Sequence, residues 1–236
     1  MLFQILQQTS KALRIAAVVA ATLVFASAAQ AAPIQLGSFH LLNATQPLSF
    51  TNNAGISGSL SAISVPVVFN FTTQSGLSTV DRPAILTINP AGTTATTTPA
   101  IAAGSLLDQP INPLTFSIIE TGTGKNLLTM SSTGGDLVGL NGAVNSSLSG
   151  THTGVYSSDY GTFSASTTES FNVGVGTMSA PLAAGPGGFL NSFTANINGQ
   201  FSVDSSGFIP VPEPATAVLF GMGLLSCGVV IRRNRK

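Results

Sequence analysis

The sixteen residues "FLNSFTANINGQFSVD", 189–204, limit this chain more than any other stretch. Phe189, Phe193, Ala195, Ile197, Phe201 and Val203 share one parity, and Ser192, Thr194, Asn196, Asn198, Gln200, Ser202 and Asp204 share the other. Strict alternation of this kind puts one face of a β-strand in a core and the other in water. Asn198-Gly199 has the look of a two-residue hairpin turn. A hairpin there would pair Ile197 with Gln200 and Asn196 with Phe201, mixing apolar and polar side chains on each face. One continuous strand keeps them apart, with Gly199 at a bulge or a close-packing point.

Further strands are expected at 34–42, 57–72, 84–89, 113–120, 126–132 and 136–140. In "FSASTTESFNVGV", Phe163, Ala165, Phe171, Val173 and Val175 share a parity that Glu169 interrupts, so a bend or hairpin near 167–170 is expected. Segments 89–104 and 180–189, rich in Pro, Gly and small residues, read as surface loops. The fold class is therefore all-β, an antiparallel β-sandwich of jelly-roll type over residues 32–209. A β-solenoid is the runner-up, but no fixed repeat supports it.

Helical patterning is confined to the two ends. Lys11 and Arg14 precede an apolar run, Ile15–Ala28, and Ala29 and Ala31 supply the small residues that a signal peptidase reads. Residues 1–31 are thus expected to be a cleaved export signal. At the other end, 215–231 is apolar over a helical length of about 25 Å, followed by the basic tip Arg232, Arg233, Arg235 and Lys236. Such a tip stays cytoplasmic, and the arginines snorkel to complete the span. Pro212 and Pro214 hold the segment around Glu213 extended, a form that a protease or transpeptidase can thread.

Pro212-Glu213-Pro214, a membrane-spanning run and an arginine-rich tip, in that order behind a signal peptide, resemble the tail of PEP-CTERM proteins. The resemblance implies recognition and removal of residues 210–236 by an exosortase-class membrane enzyme, with Pro212, Glu213 and Pro214 as the sorting signal and the basic tip as the cytoplasmic stop. It also implies an inner-membrane precursor and a mature protein at the cell surface or outside the cell. Permanent anchoring in the membrane is the alternative. "NLLTMSSTGGDLVGLNGAVNSSL", the box Tyr156 to Tyr160 and Phe189-Leu190 further resemble the β-rich ectodomain recurring in that family, which brings no assigned reaction.

Between the signals the chain carries seven acids and only two bases, Arg82 and Lys125, for a net charge of −5. Nucleic acid is thereby excluded as a natural partner, since phosphate binding needs clustered bases. The one cysteine, Cys227, lies in the tail, so no disulfide supports the exported domain.

The sequence carries no motif of convergent chemistry, so no catalytic, cofactor or metal site is expected. "TGTGKN", 121–126, lacks the spacing of a phosphate loop and reads as a turn between strands. His40 and His152 have no ligand partner at short spacing. A His-Ser-Asp triad forms only by folding and is not readable here. Asp159 and Glu169 are the one carboxylate pair to consider for glycoside hydrolysis, although Asp159 also suits a turn. Tyr156 and Tyr160, the only tyrosines in a chain without tryptophan, are the candidate contact for a sugar; filling or edging the core is the other reading. The expected function is a non-enzymatic structural protein of the cell surface or extracellular matrix. The alternative is a module binding an extracellular polysaccharide.

Overall fold

A computed structural model describes residues 32–89, 96–97 and 101–211. The expected signal peptide with Ala29 and Ala31, the sorting residues Pro212, Glu213 and Pro214, the membrane run and the basic tip lie outside the described residues.

The described chain is built from antiparallel strands: β1 (Pro33–Leu41), β2 (Leu48–Asn53), β3 (Ser57–Phe71), β4 (Arg82–Ile88), β5 (Thr96–Thr97), β6 (Ile101–Ala103), β7 (Leu106–Asn112), β8 (Leu114–Glu120), β9 (Asn126–Ser132), β10 (Gly135–Leu140), β11 (Ser146–Thr153), β12 (Tyr156–Ser157), β13 (Gly161–Phe163), β14 (Thr168–Gly176), β15 (Phe193–Asp204) and β16 (Phe208–Pro210). Fourteen form one sheet, ordered β12-β9-β8-β4-β3-β1-β15-β14-β11-β10-β7-β5, with β2 pairing β15 and β3 and with β6 pairing β7. β13 and β16 make a separate two-stranded sheet. The first strand thus lies beside the fifteenth, which rules out stacked neighbouring repeats.

β15 runs unbroken through Asn198-Gly199, as the alternation requires. Phe193, Ala195, Ile197, Phe201 and Val203 are all buried. Gly199 faces Phe39 across the β1–β15 ladder, and a Cβ at Gly199 would overlap the Phe39 ring. The glycine is a close-packing point.

β3 shows how one strand serves two neighbours. Its buried positions are Leu60 and Ala62, then Val65, Val67, Phe69 and Phe71, a change of parity. Ile63 and Ser64 take up the extra residue where the register against β4 shifts between Ala62 and Val65. Such a bulge bends the strand. Before it β3 pairs with β2, and after it with β1.

The inward face of the sheet meets itself. β8 and β14 are five spacings apart in the order, about 24 Å if the sheet were flat. Yet the Phe116 and Phe171 rings are 5.4 Å apart, and Phe116 also lies 5.9 Å from Phe201 on β15. The core fills the space enclosed by that curl, with Phe50, Phe69, Phe71, Phe116 and Phe201 its largest fully buried side chains.

Two expectations need correcting. Glu169 does not mark a bend: the turn falls at Ala165 and Ser166, and Glu169 continues β14 on its inward face, 1% exposed. The loop expected at 89–104 holds β5 and β6. β2, β7 and β11 are strands that the alternation did not announce.

Candidate functional site

The last described residues are built into the fold. β16 pairs with β13 through Phe208–Phe163, Ile209–Thr162 and Pro210–Gly161. The Val211 N–H then donates to the Tyr160 carbonyl at 2.8 Å. The Phe208 and Phe163 rings lie 4.9 Å apart, and Phe208 covers Gly161, where any Cβ would overlap its ring. Pro212, the first residue of the expected sorting signal, therefore follows a fixed backbone position with no spacer between.

The segment that receives β16 is the aromatic box, Tyr156 to Tyr160, and it is pinned on every side. The Asp159 carboxylate accepts the Asn126 N–H at 2.8 Å, and the Asp159 N–H donates to the Asn126 carbonyl at 2.9 Å. Ser158 Oγ donates to the Leu127 carbonyl at 2.7 Å and accepts from the Tyr160 N–H at 3.1 Å. Asp159 does fix a turn, but by reaching β9 instead of its own backbone.

Tyr160 sits at the centre of a polar cluster. Its Oη donates to Glu120 Oε2 at 2.8 Å and accepts from Arg82 Nη1 at 3.0 Å. Arg82 Nη1 is also 3.0 Å from Glu120 Oε1, a salt bridge with both side chains little exposed. Thr123 Oγ1 donates to the same carboxylate. Arg82 Cζ lies 4.6 Å and Lys125 Nζ 5.2 Å from the ring centre. Both basic side chains of the domain thus meet on one tyrosine. Burial opposes charge on Glu120, but hydrogen bonds from Thr123, Tyr160 and Arg82, with the Arg82 charge, outweigh it and hold the carboxyl below its ordinary range. The Tyr160 hydroxyl is pushed up, first by burial and then by donating to Glu120.

Glu169 is a different carboxylate. Its Oε2 accepts the Val155 N–H at 2.6 Å and the Tyr156 N–H at 2.8 Å, while Oε1 has no hydrogen-bond partner among the described residues. Burial pushes its pKa up, against the pull of the two N–H groups. Tyr156 Oη donates to the Ser170 carbonyl at 2.6 Å, and burial, then the Glu169 charge, raises that hydroxyl strongly.

Tyr156 and Tyr160 are each 6% exposed, with rings against Phe201 and Phe163 in one case and Phe71 in the other. Neither presents a free ring face on which a sugar could stack, and both occupy the core as their second reading has it. Asp159 and Glu169 are each spent on backbone N–H groups of other segments. His152 gains a partner that its spacing could not reveal: its Nε2 lies 2.9 Å from Ser132 Oγ. That hydroxyl is buried and also donates to the Gly134 carbonyl and accepts the Gly134 N–H. The loop at 121–126 is the β8–β9 turn, closed by Gly124 N–H to the Glu120 carbonyl at 2.9 Å. Among the described residues no group of three or more His, Cys, Asp or Glu side chains is placed to hold a metal ion.

Sequence reading missed the Arg82–Glu120–Tyr160 cluster. Its available signal was scarcity, since a domain with two cations has few ways to neutralise a buried carboxylate.

No curated protein and no solved structure matches the chain. What does match begins where β16 ends: residues 210–236 carry the PEP-CTERM protein-sorting motif.

Proposed function

We propose that this is an exported structural protein of the cell surface or extracellular matrix, with no catalytic role, delivered by exosortase-type processing of its tail. The PEP-CTERM motif at 210–236 carries the reading. Exosortase-dependent sorting of an exported protein follows from the motif; the matrix role is our own step. It draws on side chains of the domain that are engaged in holding the backbone: the exposed Asp159 and the buried Glu169 and Ser132. In this reading the curled sheet is a β-sandwich of jelly-roll type, and Pro212, Glu213 and Pro214 are the recognised signal. Signal peptidase, acting at Ala29 and Ala31, and the exosortase-class enzyme are the processing partners, and the membrane holds only the precursor.

The test is mass spectrometry of the C-terminus in protein recovered from membrane and extracellular fractions. Processing is expected to give an extracellular chain ending near Glu213. Substituting Pro212, Glu213 and Pro214 together by Ala is expected to leave chains ending at Lys236 in the membrane. If the unmodified protein itself ends at Lys236 and stays in the membrane, it is a permanently anchored surface protein and the sorting reading fails.

A further inference from the structure

The outer face of β14 and β15 holds a trough that neither the tail nor the core explains. Three surface cavities of about 410, 340 and 450 Å³ lie along the seam of these strands. The first two share Gly174 and Asn198, and the first and third share Asn172 and Gln200, so they adjoin as a shallow strip along the strands. From Asn196 to Ser202 it follows β15 for about 20 Å.

Its exposed side chains are polar, and parts of Phe39, Phe171, Val175 and Ile197 complete the lining. Asn172 faces Gln200 and Gly174 faces Asn198 across the β14–β15 ladder, while Ser38 and His40 of β1 border the other edge of β15. Asn172, Asn198 and Gln200 are exposed. Among the described residues the side-chain amides of Asn198 and Gln200 make no hydrogen bond, and Asn172 Oδ1 only receives Ser147 Oγ at 3.3 Å. Each free amide offers two donors and an acceptor. A row of them fits a ligand that presents both donors and acceptors along its length.

The lining also eliminates other occupants. Among the described residues no lysine or arginine lines it, and Asp136 at one end repels anions, which disfavours a polyuronate or a nucleic acid. None of the exposed large apolar side chains, such as Ile56, Val80 or Ile209, lines it, so it lacks the apolar centre that a stable interface with a second copy or a lipid surface would need. We infer that the trough binds a neutral polysaccharide chain laid along β14 and β15, read through its hydroxyls by Asn172, Asn198 and Gln200. This goes beyond delivery by the tail and does not depend on it.

The experiment is affinity electrophoresis of the purified exported protein in gels containing dextran, xyloglucan or galactomannan, with alginate as the anionic control. Retardation is expected in at least one neutral gel and none in alginate. Asn172→Ala, Asn198→Ala and Gln200→Ala together should weaken it at least tenfold. Gly174→Thr should do the same by filling the trough, since a Cβ there comes within 2.6 Å only of the exposed Asn198 amide oxygen, with the Asn198 carbonyl at 3.9 Å. Gly174→Thr also stands in if the triple variant loses the wild-type circular dichroism. No retardation in any neutral gel, stronger retardation in alginate, or unchanged retardation in a folded variant would each overturn the inference. So would a variant that instead breaks a homodimer, which would make the face a contact between copies. Failure of the sorting reading shows separately, as a mass ending at Lys236.

Discussion

At the scale of the residue, two carboxylates with opposite environments set the acid response. The folded-state pKa of Glu120 is lowered, so its contribution is fully present above the ordinary carboxylate value of 4.5 and is lost as pH falls through the lower folded value. The stability difference between wild type and Glu120→Gln, from urea melts at several pH values, should shrink on that descent. Glu169 has the reverse sign: its raised pKa lets the folded state take up a proton first, so stability gains as pH falls from the folded value toward 4.5. Glu169→Gln should abolish that gain. Arg82→Met strands the Glu120 charge and should cost about 3 kcal/mol at neutral pH in the same melts. Gly199→Val drives a side chain into Phe39 and should cost about 1–3 kcal/mol, whereas Asn198→Ala beside it should stay within about 0.5 kcal/mol. That Gly199 packs closely was legible, because the alternation forbade a turn. That Glu169 faces inward was not, because its two partners sit 13 and 14 residues earlier and only folding brings them near.

At the scale of the element, strands were readable where one face is continuously apolar, as in β8, β9 and β15. They were hidden where tertiary contacts replace that signal. β7 buries Gln109 between Leu107 and Ile111, and the amide oxygen accepts the Leu190 N–H at 3.1 Å. β11 contributes Leu148 as its one buried apolar side chain and is held by ladders to β10 and β14. The bulge in β3 was written in the sequence as a switch of apolar parity after Ala62, a signal that a single strand label conceals. β16 depends on one residue of its partner. Gly161→Val should displace Phe208 and release Phe208–Pro210, seen as faster amide exchange at Ile209 and Val211 with the β15 amides still protected.

Across the whole molecule, the sequence announced the all-β antiparallel class and the C-terminal sorting motif, but not the order of strands. Order is set by pairings such as Phe50 with Phe193 and Phe39 with Gly199, which join the two ends of the domain. Contacts so distant close late in folding. An exported chain truncated after Ser192 lacks β15, the neighbour of β1, β2 and β14, and should give no cooperative thermal transition by circular dichroism.

The same arrangement decides how the domain carries a mechanical load. A molecule held through its C-terminus receives tension at Val211. The first element in line is β16, joined to β13 by three residue pairs that can peel away one at a time once the Val211 N–H leaves the Tyr160 carbonyl. Behind it stands β15, flanked along both edges, so the pull must next work against a strand from the middle of the sheet. Stretched from that end, the domain would yield a short length of slack before its core is loaded, a small shock absorber next to the point of attachment.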